Sequence, residues 1–142
     1  MDKSKAISIL KAFNEDEFKE FGQFLASPVF NTEKPVIKLY KFLKKYYPSF
    51  EPSKIEKQKV YKKLYPGKEY NDGVIRNLSS RLYRLGEEYL AFKGFKKDRF
   101  REQLALLREL SERKLPALYE KNYKELDKLI EKNFVQWVEP ID

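Results

Sequence analysis

The chain has 142 residues, enough for one hydrophobic core, and its 42% apolar and 37% charged residues are typical of a soluble globular protein. It contains no histidine and no cysteine, which excludes disulfides, thiol chemistry, histidine-based proton transfer and the usual zinc sites. The net charge of +8 equals that of residues 38–68 alone, which hold ten lysines and two glutamates.

Further classes are disfavoured by missing patterns. No apolar run approaches the ~20 residues of a membrane span, and the N-terminus lacks the apolar segment of a secretory signal. We therefore expect a cytoplasmic protein without a membrane anchor. Phosphate-loop and dinucleotide-binding glycine motifs are absent, so we expect no cofactor, no metal and no enzymatic activity.

Two short helices are predicted at the start of the chain. Residues 3–12 have Ile7 and Leu10 at helical spacing, facing inward. Asn14 followed three residues later by Glu17 is a capping-box pattern, in which each residue satisfies a free amide of the other. It predicts the start of the second helix.

The second helix is expected to end near Ser27, because Pro28 disfavours a helical residue before it. Val29 and Phe30 lie in the loop that follows. As large apolar residues between two amphipathic segments, they are expected to be buried.

The third and fourth helices are bounded by proline and by capping patterns. The third begins at Asn31 or Thr32 and ends before Pro48. Ser53 with Glu56 forms a second capping-box pattern, which predicts the start of the fourth helix, and Pro66-Gly67 ends it.

The clearest amphipathic helix is predicted for residues 71–92. Asn71 or Asp72 is expected to cap its start, and Gly94 to follow its end. Its apolar residues recur in a stripe that should face the core: Ile75, Leu78, Leu82, Leu85 and Tyr89.

A helical hairpin is predicted after this helix, because two further amphipathic segments are separated by a short link. The inward residues expected on the two helices are Phe100, Leu104, Leu107, Leu110, Leu118, Leu126, Leu129 and Ile130, with Pro116 in the first turn of the second. The predicted fold is an all-α bundle of about seven helices. Its predicted segments are a core domain (1–92), the hairpin packed on it or extending from it (95–134), and a tail (135–142).

The predicted fourth and fifth helices have the order of a helix–turn–helix motif. The exposed face of the second would carry Arg76, Asn77, Ser80 and Arg84, side chains that suit base edges and phosphates. Residues 54–90, with Asn77-Leu78, Arg81-Leu82 and Arg84-Leu85, resemble the helix–turn–helix segment of bacterial transcriptional activator domains. Their turn is longer than a compact three- or four-residue turn. The alternative is an ordinary helical pair with its arginines in water.

Lysines recur on one face of each of two neighbouring helices and could meet a polyanion or an acidic partner. The alternative is that they only keep two aromatic-rich helices soluble. The residues are Lys41, Lys44 and Lys45 on the third helix, and Lys59, Lys62 and Lys63 on the fourth.

An apolar strip closes the chain. Phe134, Trp137 and Val138 either dock back on the bundle or bind a protein partner or further domains of a longer chain.

A broader resemblance covers roughly the first 92 residues. The run EDEFKEFGQFLASPVFN, then YYPSF, then KVYKKLYPGKEYNDGVIRNLSSRLYRL is similar to the N-terminal region of a group of large uncharacterised helical bacterial proteins. FREQLALLRELSERKLPALYEKN resembles the start of the helical-repeat region in that group. The resemblance implies an N-terminal module on an α-helical scaffold, with no known activity to carry over.

The functional prediction is a non-enzymatic interaction module that docks an acidic or helical partner. The alternative is a nucleic-acid-binding regulatory domain of helix–turn–helix type, with Arg76, Asn77, Ser80 and Arg84 reading bases and the lysines contacting phosphates.

Overall fold

The computed structural model describes the backbone of residues 1–138 and the side chains of residues 1–133. Within this range the chain forms seven α-helices and no strand, which confirms the predicted all-α fold. The helices are α1 (Lys5–Ala12), α2 (Glu15–Ala26), α3 (Lys34–Lys44), α4 (Lys57–Leu64), α5 (Asp72–Lys97), α6 (Arg99–Glu112) and α7 (Pro116–Val138).

Two compact units are distinguished in the structure. The first is Met1–Leu90, and the second begins at Ala91, so the boundary lies within α5. The predicted segments 1–92, 95–134 and 135–142 stay a prediction, because compactness alone does not show that a segment folds independently.

Large aromatic side chains form the centre of the first unit. The ring of Phe21 on α2 lies 5.2 Å from that of Phe13 and 5.6 Å from that of Tyr89 on α5. Phe13 and Tyr89 are themselves 5.3 Å apart in an edge-to-face arrangement, which the ring quadrupoles favour. The α5 stripe is buried as predicted, at Ile75, Leu78, Leu82, Leu85 and Tyr89.

The caps predicted for α2 and α5 form in the structure. The Glu17 amide donates to Asn14 Oδ1 at 2.8 Å, and the Asn14 amide donates to Glu17 Oε1 at 3.0 Å, which confirms the predicted capping box. At α5, the Val74 amide donates to Asn71 Oδ1 at 3.2 Å. Of the two residues considered, Asn71 is therefore the cap.

The loop after α2 differs from its prediction. Val29 is 86% exposed, and Phe30 is 39% exposed while stacking on Phe24 at 4.4 Å between ring centroids. Asn31 is buried instead (8% exposed), and its amide donates to the Leu25 carbonyl at 2.9 Å. The expectation that both apolar residues are buried was wrong, because a hydrogen-bonded asparagine closes this loop.

The predicted capping box at Ser53 and Glu56 does not form. Ser53 lies in a 3-10 turn, Pro52–Lys54, and α4 begins only at Lys57, where Glu56 makes no capping hydrogen bond with its side chain. Proline fixes its own backbone angle in the helical range. Pro52 therefore starts a separate turn and removes Ser53 from the cap position.

The end of α5 also differs from its prediction. The helix continues through Gly94 to Lys97, and Asp98 then caps α6 by accepting a hydrogen bond from the Arg101 amide at 3.1 Å. Gly94 lies in the helix without a left-handed backbone angle. The following aspartate, rather than the glycine, marks the boundary.

The second unit contains α6 and α7, which are joined by residues 113–115 and contact each other. The Gln103 side chain donates to the Asn122 carbonyl at 2.9 Å, and Leu107 and Leu126 are buried. Leu118 was expected to face inward but is 47% exposed. At 3.6 residues per turn it lies about 80° around α7 from Leu126, and so off the line that faces α6.

Candidate functional site

Lysines cover the exposed sides of α3 and α4, which contact each other within the first unit. Leu39 and Leu43 of α3 and Val60 of α4 are fully buried. Since apolar positions take the inner side of each helix, the lysines between them are left on the outside. All six predicted lysines are exposed: Lys41, Lys44, Lys45, Lys59, Lys62 and Lys63.

Two of the ten lysines between residues 38 and 68 have partners. Lys57 Nζ lies 3.6 Å from Asp72 Oδ1. Lys59 Nζ lies 3.9 Å from Glu56 Oε2 and donates to the Ser53 carbonyl at 2.6 Å. The other eight make no ion pair with any described residue. We call six of them, on α3, its C-cap and α4, the lysine surface: Lys38, Lys41, Lys44, Lys45, Lys62 and Lys63.

The lysine surface has two physical consequences. Several of its members occupy the last turns of α3 and α4, where cations interact favourably with the helix dipole. This interaction stabilises the helices but leaves the charge unneutralised. Because residues 38–68 contain only two acids, this stretch keeps a net charge of +8, and clustered charge of one sign produces a positive potential.

The exposed face of α5 carries the four residues predicted to read bases. Arg76, Asn77, Ser80 and Arg84 are all exposed. Within the described part of the chain, the side chains of Asn77, Ser80 and Arg84 have no hydrogen-bond or ion-pair partner. Arg76 differs, because its Nε lies 2.8 Å from Asp72 Oδ2.

Asp72 holds a small polar cluster at the start of α5. Tyr70 donates its hydroxyl to Asp72 Oδ1 at 2.7 Å, and Lys57 and Arg76 approach the same carboxylate. The Tyr70 hydrogen bond, followed by the charges of Lys57 and Arg76, lowers the pKa of Asp72. Asp72 therefore stays ionised and orients Arg76. Sequence reasoning considered Asp72 only as a helix cap, since neither Tyr70 nor Lys57 is at helical spacing from it.

The connection between α4 and α5 is long for a helix–turn–helix motif. It spans residues 65–71 and contains Gly67 at a φ of 78°, a conformation that glycine adopts without strain. Tyr70 within it packs edge-on against Tyr61, with ring centroids 5.4 Å apart. The connection is thus an ordered loop, longer than the three or four residues of a compact turn.

The residues predicted to read bases line two different grooves. Arg76 and Ser80 line a groove of about 320 Å³ beside α1, together with Lys5 and Lys57. Arg84 lines a different groove, of about 250 Å³, beside residues 30–33. The structure therefore brings Arg76 and Ser80 together but does not place Arg84 in the same groove.

The remaining predicted site falls on Phe134, Trp137 and Val138, whose side chains lie outside the described residues. Among the residues that are described, no three acidic side chains are placed to hold a metal ion. In the same part of the chain, no helix combines the length and the apolarity that crossing a bilayer requires.

Comparison of the chain with protein families, with characterised proteins and with solved structures gives no match. The resemblances to activator domains and to the large helical bacterial proteins stay predictions. Function is therefore argued from the chemistry of the surface.

Proposed function

We propose that the chain is a non-enzymatic module that binds an acidic segment of a protein partner through the lysine surface. The observation that supports this proposal is that eight of ten neighbouring lysines have no acidic partner within the described residues, and six of these lie on α3, its C-cap and α4, which contacts α3. An acidic partner would supply the missing negative charge.

The chemistry of lysine favours an acidic chain over a particular base sequence. Its ammonium group is a compact charge on a flexible stem, without the planar fork with which arginine recognises guanine. Exposed ion pairs contribute about 0.2–1 kcal/mol each. Six such contacts supply at most roughly 6 kcal/mol, so an affinity no tighter than tens of micromolar is expected from charge alone.

A titration with a fluorescein-labelled glutamate-rich peptide, followed by anisotropy over a salt series, tests the proposal. Lys41, Lys44 and Lys45 are replaced together by glutamine. The matched control removes the same charge from exposed lysines elsewhere in the first unit that make no ion pair with a described residue, at Lys3, Lys11 and Lys19.

We expect the α3 triple variant to weaken peptide binding about tenfold and to flatten its salt dependence, and the control triple to leave binding within about twofold. Equal weakening by both triples would mean that the peptide senses only net charge. That result would refute the proposal, as would absence of binding at low salt.

The second candidate is nucleic-acid binding through α5. The observation that favours it is the exposure of Asn77, Ser80 and Arg84 without partners on one helix, since asparagine and arginine pair with the edges of adenine and guanine. The fixed position of Arg76 against Asp72 and the long α4–α5 connection count against a compact helix–turn–helix geometry.

One experiment distinguishes binding of an acidic protein segment from binding of nucleic acid. A DNA duplex of negative charge matched to the peptide is titrated against the unchanged chain, the α3 triple variant and Arg84→Ala. Tighter binding of the duplex than of the peptide, lost in Arg84→Ala but kept in the α3 triple variant, would favour nucleic acid. Loss in the α3 triple variant alone would favour the acidic protein partner.

A further inference from the structure

The groove between α1 and the first half of α5 gathers cations from three helices. Lys5 lies on α1, Lys57 at the start of α4 and Arg76 on α5, and all three line the same space of about 320 Å³ within the first unit. This volume is in the range of small-ligand sites. The groove is separate from the lysine surface, of which none of these residues is a member.

Each cation in the groove contacts another side chain of the first unit. Lys5 Nζ lies 5.7 Å from the centroid of the Tyr83 ring, a cation–π distance. Lys57 and Arg76 share the Asp72 carboxylate, at 3.6 Å from Oδ1 and 2.8 Å from Oδ2. These contacts reduce the conformational entropy that the three side chains would lose on binding a ligand.

Arg76 retains most of its hydrogen-bonding capacity. Its contact with Asp72 is an ion pair in which Nε lies 2.8 Å from Oδ2, and the two terminal amino groups of the guanidinium donate no hydrogen bond to any described residue. Four of the five N–H donors of an arginine are on those two groups. Asp72 thus orients the guanidinium and leaves its fork available to an oxyanion.

Hydroxyl donors and an apolar floor complete the groove. Ser79 and Ser80 line it, and neither hydroxyl has a hydrogen-bond partner in the part of the chain that is described. Ala6 and Ile75, both buried, form the floor. Arg76, Ser79 and Ser80 lie within five consecutive residues of α5, so one helix supplies the fork and both hydroxyls.

The formal charge of the groove indicates what it would bind. Lys5, Lys57 and Arg76 contribute three positive charges and Asp72 one negative charge. A phosphate monoester carries about −1.5 to −2 at neutral pH and accepts hydrogen bonds at three oxygens. Its charge matches the excess of two, its oxygens match the guanidinium fork and the hydroxyls, and its organic part would contact the floor.

From this geometry we propose that the groove binds a phosphate monoester, with Lys5, Lys57, Arg76, Ser79 and Ser80 holding the phosphate and Tyr83 packing against the organic group. The monoester belongs either to a small molecule or to a phosphorylated side chain of another protein. The phosphate chemistry is common to the two sources.

The test is a titration of the full ¹⁵N-labelled chain with phenyl phosphate, followed by amide shifts at constant ionic strength. Phenyl sulfate, of nearly the same shape but singly charged, is the control ligand. We expect the largest shifts at Ile75, Ser79 and Ser80, and binding of the phosphate about tenfold tighter than of the sulfate.

Two variants of equal charge test the assignment. Arg76→Gln should weaken phenyl phosphate binding about tenfold, because a charge-assisted fork is lost. Arg84→Gln removes the same charge from an exposed arginine of α5 that lines the other groove and has no ion-pair partner among the described residues. It should change binding less than twofold. Ser80→Ala, which alters no charge, should weaken binding severalfold. Circular dichroism checks that each variant is folded.

A peptide with one phosphoserine distinguishes the sources. Binding about tenfold or more tighter than phenyl phosphate assigns the groove to a phosphorylated protein segment, whereas equal or weaker binding assigns it to a small monoester. Equal effects of Arg76→Gln and Arg84→Gln would overturn the proposal, as would shifts confined to residues outside the groove or equal affinity for phosphate and sulfate.

Discussion

Replacing Gly22 by alanine is expected to destabilise the first unit, although alanine is the better helix former. Gly22 lies on α2 opposite Tyr40 of α3, and a Cβ there would be 2.7 Å from Tyr40 Oη and 2.8 Å from Cε1. Tyr40 has little room to move, because it is 6% exposed and donates its hydroxyl to the Phe18 carbonyl at 2.6 Å. Its ring also packs 5.0 Å from that of Phe18.

The expected change in the free energy of unfolding combines two destabilising effects and one stabilising effect. Forcing an extra methyl into a packed core costs about 1–3 kcal/mol. Displacing the tyrosine hydroxyl from its carbonyl costs about a further 1 kcal/mol. The higher helix propensity of alanine offsets about 1 kcal/mol. The net expectation for Gly22→Ala is therefore a loss of roughly 1–3 kcal/mol in the free energy of unfolding.

Gly94 provides the matched control. It also lies inside a helix, but a Cβ at this position would meet no atom of the described residues within 4 Å. Only the propensity difference remains, so Gly94→Ala should stabilise α5 by up to about 1 kcal/mol. The same glycine-to-alanine substitution is thus expected to lower the free energy of unfolding at Gly22 and to raise it at Gly94.

Urea denaturation is the assay, followed by far-UV circular dichroism for helix content and by near-UV circular dichroism for aromatic packing. For a loss of roughly 1–3 kcal/mol, the midpoint of Gly22→Ala should fall by about 1 M at an ordinary denaturant slope. Tyr40→Phe removes the atom closest to the new methyl. The double variant should therefore lose less free energy of unfolding than the two single variants lose in sum. A Gly22→Ala midpoint equal to or above that of the unchanged chain would refute the steric argument.

Two further predictions concern a helix cap and a buried tyrosine. Asn14→Ala should lower the free energy of unfolding by about 1 kcal/mol in the same assay, because the Glu17 amide loses its side-chain acceptor, Asn14 Oδ1. The backbone amide of residue 14 can still donate to Glu17. Asn14→Ser, which keeps a side-chain oxygen at the cap, should retain most of this stabilisation. Burial, followed by the hydrogen bond to Glu20, raises the pKa of Tyr89 above its usual range. The folded chain therefore binds this proton more tightly than the unfolded chain, and stability should fall as pH rises above about 10. Tyr89→Phe should show a shallower fall between pH 8 and 11, and an unchanged pH slope would contradict the assignment.

Two capping patterns of the same spacing show where sequence reasoning succeeds and where it fails. The Asn14–Glu17 pattern forms its reciprocal hydrogen bonds, whereas the Ser53–Glu56 pattern does not. In the second case Pro52 starts a 3-10 turn that includes Ser53. A capping pattern specifies which groups can pair, and the preceding backbone decides whether they do.

The two candidate sites also differ in whether the sequence could predict them. The exposure of the lysines on α3 and α4 could be predicted, since apolar periodicity assigns the inner face of a helix and leaves its charged residues outside. The groove formed by Lys5, Lys57 and Arg76 could not be predicted, because these residues are far apart in the chain and are brought together by the packing of α1, α4 and α5.

By itself, the sequence determined that this protein is helical, which residues form the inner stripe of α5, and that its excess charge lies between residues 38 and 68. These properties depend on neighbours within about four residues, the reach of a helical turn. Tertiary structure alone decided that Asn31 rather than Val29 is buried in the loop after α2, that Gly22 must leave room for Tyr40, and that Lys57 of α4 lies beside Asp72 of α5. Each of these contacts depends on how separate helices and their loops pack together, which local spacing does not specify.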